Sequence, residues 1–214
     1  MGSWQEDQSI EAEWWGNCTN TFGEEMKQTV YAALMRLDML NEGGPGPIIE
    51  MGDKKIIDIG GGPCSLLLKT RTTGTKTLIE PCRYPLWVYE RYTAANVLVY
   101  TYMKGENFPR YFRGGTRWDE CWIYNVLQHT DNPERVVKNA LAKADVVRIF
   151  EWIDMPPSPG HPHTLTEKNL NEWFNAGTHN WGPLGNTHFL NTNGCVGRAF
   201  VGVYARDRSQ LESR

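Results

Sequence analysis

Lys55-Ile56-Ile57-Asp58-Ile59-Gly60-Gly61-Gly62-Pro63-Cys64-Ser65-Leu66 is the stretch from which the fold is read. Ile56, Ile57 and Ile59 form a short apolar run bounded by turn residues, the pattern of a buried strand. The run ends in an acid and three glycines, where a side chain would block close approach of the backbone to a ligand. The reading is a strand, a glycine turn and the start of a helix near residues 63–70. Such a turn brings backbone N–H groups and a helix N-terminus to the carboxyl end of a strand, which suits a nucleotide-like ligand.

Two further landmarks narrow the ligand. Against the dinucleotide fingerprint G-x-G-x-x-G, Gly60 and Gly62 match the first two glycines and Ser65 stands at the third. The turn alone therefore leaves a dinucleotide and other nucleotide-like cofactors open. Lys76-Thr77-Leu78-Ile79-Glu80 reads as a second strand, again ending in an acid. An acid about 20 residues beyond the first at a strand end can accept hydrogen bonds from ribose hydroxyls. The third landmark runs from Trp118 to Pro133: an apolar strand, then Asn125-Val126-Leu127-Gln128-His129.

Together, Asp58-Ile59-Gly60-Gly61-Gly62, Glu80 and the Asn125–His129 loop resemble, in order and spacing, the class I S-adenosylmethionine-dependent methyltransferases. The resemblance implies an α/β, Rossmann-like fold: a three-layer α/β/α sandwich with a seven-stranded, mostly parallel sheet and an N-terminal helical lid. It implies S-adenosylmethionine as cofactor, with S-adenosylhomocysteine as product. The implied cofactor-binding residues are Asp58, Gly60, Gly61, Gly62, Pro63, Glu80, Pro81, Glu106, Asn107, Asn125, Val126 and Leu127. In this reading Asp58 is oriented toward the cofactor's amino-acid end, through water or the neighbouring backbone, Glu80 takes the ribose, and Glu106 or Asn107 contacts the adenine amino group. Asn125, Val126 and Leu127 lie against the methionine portion, and His129 faces the methyl group or the acceptor. The chain departs from the family at Cys64, which stands where a third glycine is usual.

Bulk properties set the remaining bounds. With 214 residues, 40% apolar and 12% aromatic, the chain is long enough for one domain with a real core. The expected organisation is a helical segment or lid over 1–50, a cofactor-binding core over 53–151, and a substrate-side insertion with the last strands over 152–207. A net charge of −3 gives no footprint for a phosphate backbone, which argues against nucleic acid as partner. The five cysteines form no C-x-x-C pair and read as reduced thiols of a cytoplasmic protein. No basic-then-apolar leader and no long apolar run suggests a signal peptide or a membrane span. No internal repeat is visible.

The flanks are read for the methyl acceptor. Residues 1–12 are polar and expected to fray. From Trp14 to about Leu40, Met26, Val30, Ala33, Leu34 and Leu37 recur at helical steps, until Gly43-Gly44-Pro45-Gly46-Pro47 breaks the pattern. Asn132-Pro133-Glu134 and Thr166 to Asn169 read as helix starts. Ala144–Trp152 and Ala199–Tyr204 read as the fifth and the last strands. Pro81-Cys82 is a pair that carries the nucleophile in cytosine-C5 methyltransferases, but there it follows a later strand, so Cys82 is read as structural. His161-Pro162-His163, with Glu151 and His179, invites a metal reading. No third ligand has a diagnostic spacing, so no metal is assigned, and the histidines are read as a polar rim over the substrate pocket. Trp15, Trp152, His129, His161, His163 and His179 are the candidate acceptor-side residues, the tryptophans stacking on a sugar or an aromatic ring.

The function read from the sequence is methyl transfer to a small-molecule oxygen or nitrogen acceptor by in-line displacement. His129 is the first candidate for a general base, ahead of His161, His163, His179 and Glu151. The alternatives are a macromolecular acceptor, against which the charge argues, and a non-catalytic S-adenosylmethionine-binding module.

Overall fold

A computed structural model describes residues 4–40, 48–112, 115–175, 186–192 and 195–206. Seven strands form the main sheet: β1 (Ile56–Ile59), β2 (Lys76–Glu80), β3 (Val97–Thr101), β4 (Trp118–Tyr124), β5 (Ala144–Ile153), β6 (Asn186–Thr192) and β7 (Cys195–Ala205). Their spatial order is β3-β2-β1-β4-β5-β7-β6. The first five are mutually parallel, while β7 is antiparallel to both β5 and β6. The order reverses between β1 and β4, and a crevice opens at the carboxyl ends of strands at such a switch point.

Among the described residues six helices flank the sheet: α1 (Trp4–Trp15), α2 (Thr21–Leu34), α3 (Leu86–Ala94), α4 (Phe108–Tyr111), α5 (Pro133–Lys143) and α6 (Glu167–Asn175). The central strands are buried on both faces, as parallel strands between helical layers must be. One face, with Ile56, Leu78, Trp122, Phe150 and Trp152, packs against Tyr31, Ala32 and Met35 of the α2 segment and Val88 and Tyr92 of α3. The other, with Ile57, Ile59, Ile123, Ile149 and Phe200, packs against Phe108, Val136, Val137, Leu170 and Phe174. The three-layer Rossmann-like sandwich expected from the sequence is the fold observed.

Two helix starts follow their sequence signals closely. Asn132 Oδ1 accepts the Arg135 N–H at 2.9 Å, with Pro133 in the first turn. Thr166 and Asn169 cap each other reciprocally, at 2.8 and 3.2 Å.

Three expectations are corrected. Residues 63–70 form no α-helix; Gly62–Cys64 and Leu66–Lys69 are single 3₁₀ turns, followed by a short strand at Thr70–Arg71. That strand joins Ile48–Glu50 and Met39–Leu40 in a small separate sheet. The N–H groups of these turns go to side chains. Ser65 N–H donates to Tyr92 Oη, Leu66 N–H to Tyr124 Oη and Leu67 N–H to Ser65 Oγ. The layer such a helix would have built is supplied by α2, whose Gln28 Nε2 lies 3.5 Å from Cys64 Sγ. Second, the polar segment over 1–12 is not a frayed end: its described residues, from Trp4 on, belong to α1. Third, the stretch from Trp14 to Leu40 is not one helix; it breaks after Trp15, with Gly16 and Cys18 at positive φ, before α2 begins. Strand β6 has only Phe189 and Leu190 as apolar residues and carries no strand signal in the sequence.

A buried ion pair fixes α2 to the sheet. Arg148 of β5 donates to Glu120 of β4 at 2.7 Å and to the carbonyls of Met35 and Arg36 at 2.7 and 3.0 Å. Those carbonyls lie just past the end of α2, where a cation complements the helix dipole.

Candidate active site

A cavity of about 580 Å³ opens at the carboxyl ends of β1, β2 and β4, within the size range of small-molecule sites. Its floor is the glycine turn. Gly60 and Gly62 have φ of +71° and +66°, a region that glycine enters without steric cost. A Cβ on Gly60 would overlap Val126 Cγ2, and one on Gly61 would overlap Asp58 Oδ2. These two glycines let the turn sit against the 125–127 loop and over Asp58.

Acids hold this floor from below and from the side. Asp58 is fully buried; its Oδ2 accepts the hydroxyls of Ser65 and Tyr124 at 2.5 Å each, and burial pushes its pKa up to about 7. Glu80 accepts the N–H groups of Gly62 and Cys82, each at 2.9 Å, and burial raises it to about 7 as well. Glu151 Oε1 accepts the Val126 and Leu127 N–H groups at 3.0 Å each, and burial lifts its pKa to about 8. Glu106 accepts the Asn132 N–H at 3.0 Å.

The other wall comes from α1, the turn around His129 and the hairpin closed by the Ser158–His161 bridge. Gly160 joins them: its N–H donates to Asp7 Oδ1 at 3.1 Å, and its carbonyl accepts from His129 Nδ1 at 2.7 Å. A carbonyl only accepts, so His129 carries its proton on Nδ1 and presents the Nε2 lone pair. Burial lowers the His129 pKa to about 4, leaving the ring neutral at pH 7. The His161 ring is 4.2 Å away between centroids. Glu11 Oε2 stands 3.6 Å from His129 Nδ1, while its other oxygen accepts the Trp15 indole N–H at 2.8 Å. Burial raises the Glu11 pKa.

Of the residues singled out in the sequence, Gly60, Gly61, Gly62, Glu80, Pro81, Glu106, Asn125, Val126, His129, Trp15, Trp152 and His161 line this one cavity. Asp58, Pro63, Asn107, Leu127 and His163 do not. Asp58 supports the turn from beneath rather than pointing toward a ligand. Leu127 is in the core, and Asn107 precedes α4. His163 Nε2 contacts the Thr130 carbonyl at 2.7 Å. Glu151 likewise holds the loop from below and is not on the wall. His179 lies outside the described residues. The turn's N–H groups are also less available than expected, because Glu80, Tyr92, Tyr124 and Ser65 engage most of them. Cys82 lines the cavity, its thiol donating to Gln8 Oε1 at 3.0 Å. The sequence reading missed Gln8, Glu11 and Gln28. The one available signal was Glu11 standing four residues before Trp15, a pair that meets on a helix.

No protein-family profile and no curated protein matches the chain. Solved structures do. A protein of Thermotoga maritima described as an S-adenosylmethionine-dependent methyltransferase, possible histamine N-methyltransferase, is 14% identical with a TM-score of 0.57, covering 95% of this chain and 99% of that one. Magnesium protoporphyrin IX methyltransferase from Synechocystis PCC 6803, with S-adenosylmethionine bound, is 11% identical with a TM-score of 0.56, covering 92% and 96%. The chain has the class I methyltransferase fold. The [4+2]-cyclase SpnF is also similar, at 13% identity and a TM-score of 0.57 over 84% of this chain and 80% of that one. The methyltransferase fold therefore leaves the chemistry to be argued from the site.

The residues present fit the cofactor usual on the methyltransferase fold. A Cβ on Gly62 would face Trp15 at 3.5 Å and the Tyr84 hydroxyl at 4.0 Å, so a side chain there would take up cavity space. Gln28 lines the cavity, and its buried Oε1 has no partner among the described residues. The Glu80 carboxylate also lies on the wall; the Gly62 and Cys82 N–H groups and the Tyr84 side chain take three of its accepting sites and leave the rest for a ligand.

Proposed function

We propose that the protein binds S-adenosylmethionine in this cavity and transfers its methyl group to a small-molecule oxygen or nitrogen acceptor. The observation that carries the reading is the convergence of Glu80, the glycine turn and the Asn125–His129 loop on one cavity at the sheet's switch point. Glu80 takes the ribose hydroxyls, Glu106 the adenine amino group, and the Asn125–Val126 loop flanks the methionine portion. Gln28 Oε1 is an acceptor for the cofactor's ammonium. The segment over 1–50 serves as lid, 53–151 as cofactor core, and 152–207 as acceptor side.

When bound, the cofactor supplies a methyl group already activated on a sulfonium. The chain's own work is then orientation and exclusion of water. Trp15 lies against Gly62, and α1 with the 155–161 hairpin closes the acceptor side. His129 Nε2 accepts the acceptor's proton, with Nδ1–H anchored on the Gly160 carbonyl. An imidazole held at about 4 is a weak base. The Glu11 carboxylate beside it favours the imidazolium that forms.

Calorimetric titration with S-adenosylhomocysteine tests the binding half. Saturable binding by wild type and its loss in Gly62→Leu are expected; equal affinity in the two proteins refutes the reading. A methyl-acceptor screen with mass detection then separates an enzyme from a silent binder.

A further inference from the structure

The Gly160 carbonyl decides which nitrogen of His129 can act as a base. It holds Nδ1–H at 2.7 Å and so leaves the lone pair on Nε2. In a neutral imidazole the proton sits where its hydrogen bond keeps it, so whatever fixes Gly160 also fixes the base. The segment around Gly160 has little grip of its own. Residues 154–159 are all exposed, and within 154–161 Gly160 alone is buried. The backbone bonds between Ser158 and His161 close the hairpin on itself without tying it to the sheet.

The tie comes from α1. Asp7, itself buried, accepts the Gly160 N–H at 3.1 Å. A carboxylate on a backbone N–H makes a charge-assisted bond, roughly twice as strong as a neutral one. Ile10, three residues on and on the same helix face, stands over the same glycine: a Cβ on Gly160 would meet Ile10 Cγ2 at 3.4 Å. Gly160 has φ of +79°, so its lack of a side chain serves both the conformation and the close approach of α1. Glu11, the other acid that α1 brings near the ring, is 3.6 Å from Nδ1 and is held by the Trp15 indole N–H. The hydrogen-bonded route from α1 to the imidazole therefore runs from Asp7 through Gly160.

Resting on the proposed methyl transfer, we infer that Asp7 is a positioning residue that acts through Gly160 on His129, so that docking of α1 over the cavity and fixing of the base's tautomer are one event. With Asp7 disengaged, the Gly160 carbonyl is no longer held against Nδ1, water reaches the ring, and the proton is free to move to Nε2. Burial is the largest influence on the ring's affinity for protons, ahead of the Gly160 carbonyl and the Asp7 charge. Glu11 and His161 are the other titratable groups beside it. Loss of burial therefore outweighs loss of the Asp7 charge, and the ring protonates more readily once the hairpin loosens.

The test reads the ring directly. Proton–nitrogen NMR correlation spectra of the whole protein, with His129 assigned through His129→Gln, give its tautomer and titration in wild type, Asp7→Ala, Asp7→Asn and Gln8→Ala. Wild type shows the Nδ1–H tautomer alone. Asp7→Ala adds the Nε2–H tautomer and raises the midpoint by at least about one pH unit, toward the ordinary value of about 6.5. Asp7→Asn keeps the accepting oxygen without the charge; it rescues the single tautomer, with a midpoint no higher than wild type. Gln8→Ala removes another tie of α1, the Cys82 thiol contact, and leaves the ring as in wild type. Asp7→Ser, one atom too short to reach, takes the place of Asp7→Ala if that protein does not fold. An Nε2–H tautomer in wild type, an unchanged ring in Asp7→Ala, an Asp7→Asn protein that behaves as Asp7→Ala, or an equal disturbance in Gln8→Ala overturns the inference. Failure of wild type to bind S-adenosylhomocysteine refutes instead the methyl-transfer reading beneath it, while the spectra still decide whether Asp7 sets the imidazole.

Discussion

Glu151→Gln separates what this buried acid does by accepting hydrogen bonds from what it does by carrying a charge. In the folded protein Oε1 takes two loop N–H groups, Oε2 has no partner among the described residues, and burial moves the pKa from 4.5 to about 8. The folded state thus keeps this proton over a range in which the unfolded chain has released it. The associated stability is fully present below 4.5 and is lost as pH rises through 8. Between pH 6 and pH 9 the loss amounts to about 2–3 kcal/mol, at about 1.36 kcal/mol per pKa unit. Glutamine keeps the accepting oxygen and has nothing to titrate. Asp58 and Glu80 titrate in both proteins, so their contributions cancel in the difference. Urea denaturation of the two proteins at pH 6 and pH 9 measures it. The stability of Glu151→Gln relative to wild type is expected to improve by that amount across the interval. A difference that stays constant with pH would refute the assignment of a high pKa to this carboxyl.

Four further outcomes are expected. Arg148→Met takes from the buried Glu120 its closest cation, leaving it the part-exposed Lys54 and the Trp122 indole N–H among its partners, and strips two carbonyls of their donor; a cost of about 3–5 kcal/mol in chemical denaturation is expected, and one under about 1 kcal/mol would dismiss the ion pair as a structural tie. Gly61→Ala forces a Cβ into Asp58 Oδ2, so stability falls by about 1–3 kcal/mol, with weaker S-adenosylhomocysteine binding by calorimetry. Glu80→Gln turns an amide donor toward one of two backbone N–H groups, and S-adenosylhomocysteine affinity drops at least about tenfold. With whatever acceptor a screen identifies, His129→Ala lowers kcat by about 10²–10⁴ while S-adenosylhomocysteine affinity is unchanged; an equal kcat removes the proposed base.

The strands were legible because burial on both faces writes continuous apolar runs, and because turn residues bound them. The same holds for the helix starts at Asn132 and Thr166, whose capping is local. What could not be read was set by partners far away in sequence. The turn after β1 looks like a helix start, yet its N–H groups are claimed by Tyr92 and Tyr124, which only the folded sheet brings near. The side-chain partners of Asp58 were equally invisible, because they come from the turn and from β4. The position of Asp58 in the alternation of β1 places it on the face where Ser65 and Tyr124 wait. Glu11 was hidden in a segment with no amphipathic stripe, since α1 is held by polar contacts from Asp7, Gln8 and Glu11 rather than by a buried apolar face.

The missing helix after β1 has a consequence for how this chain can vary. In this protein one continuous segment does two jobs: α1 walls the cavity, and α2, a few residues later, roofs the sheet where the absent helix would lie. Grafting the N-terminal region of another protein of this fold onto this core would therefore not be a lid exchange. It would uncover Cys64, Leu66 and Leu67 and take from Arg148 the two carbonyls to which it donates. New acceptors are more accessible through point changes on α1 and the 155–161 hairpin, which alter the pocket without touching the roof.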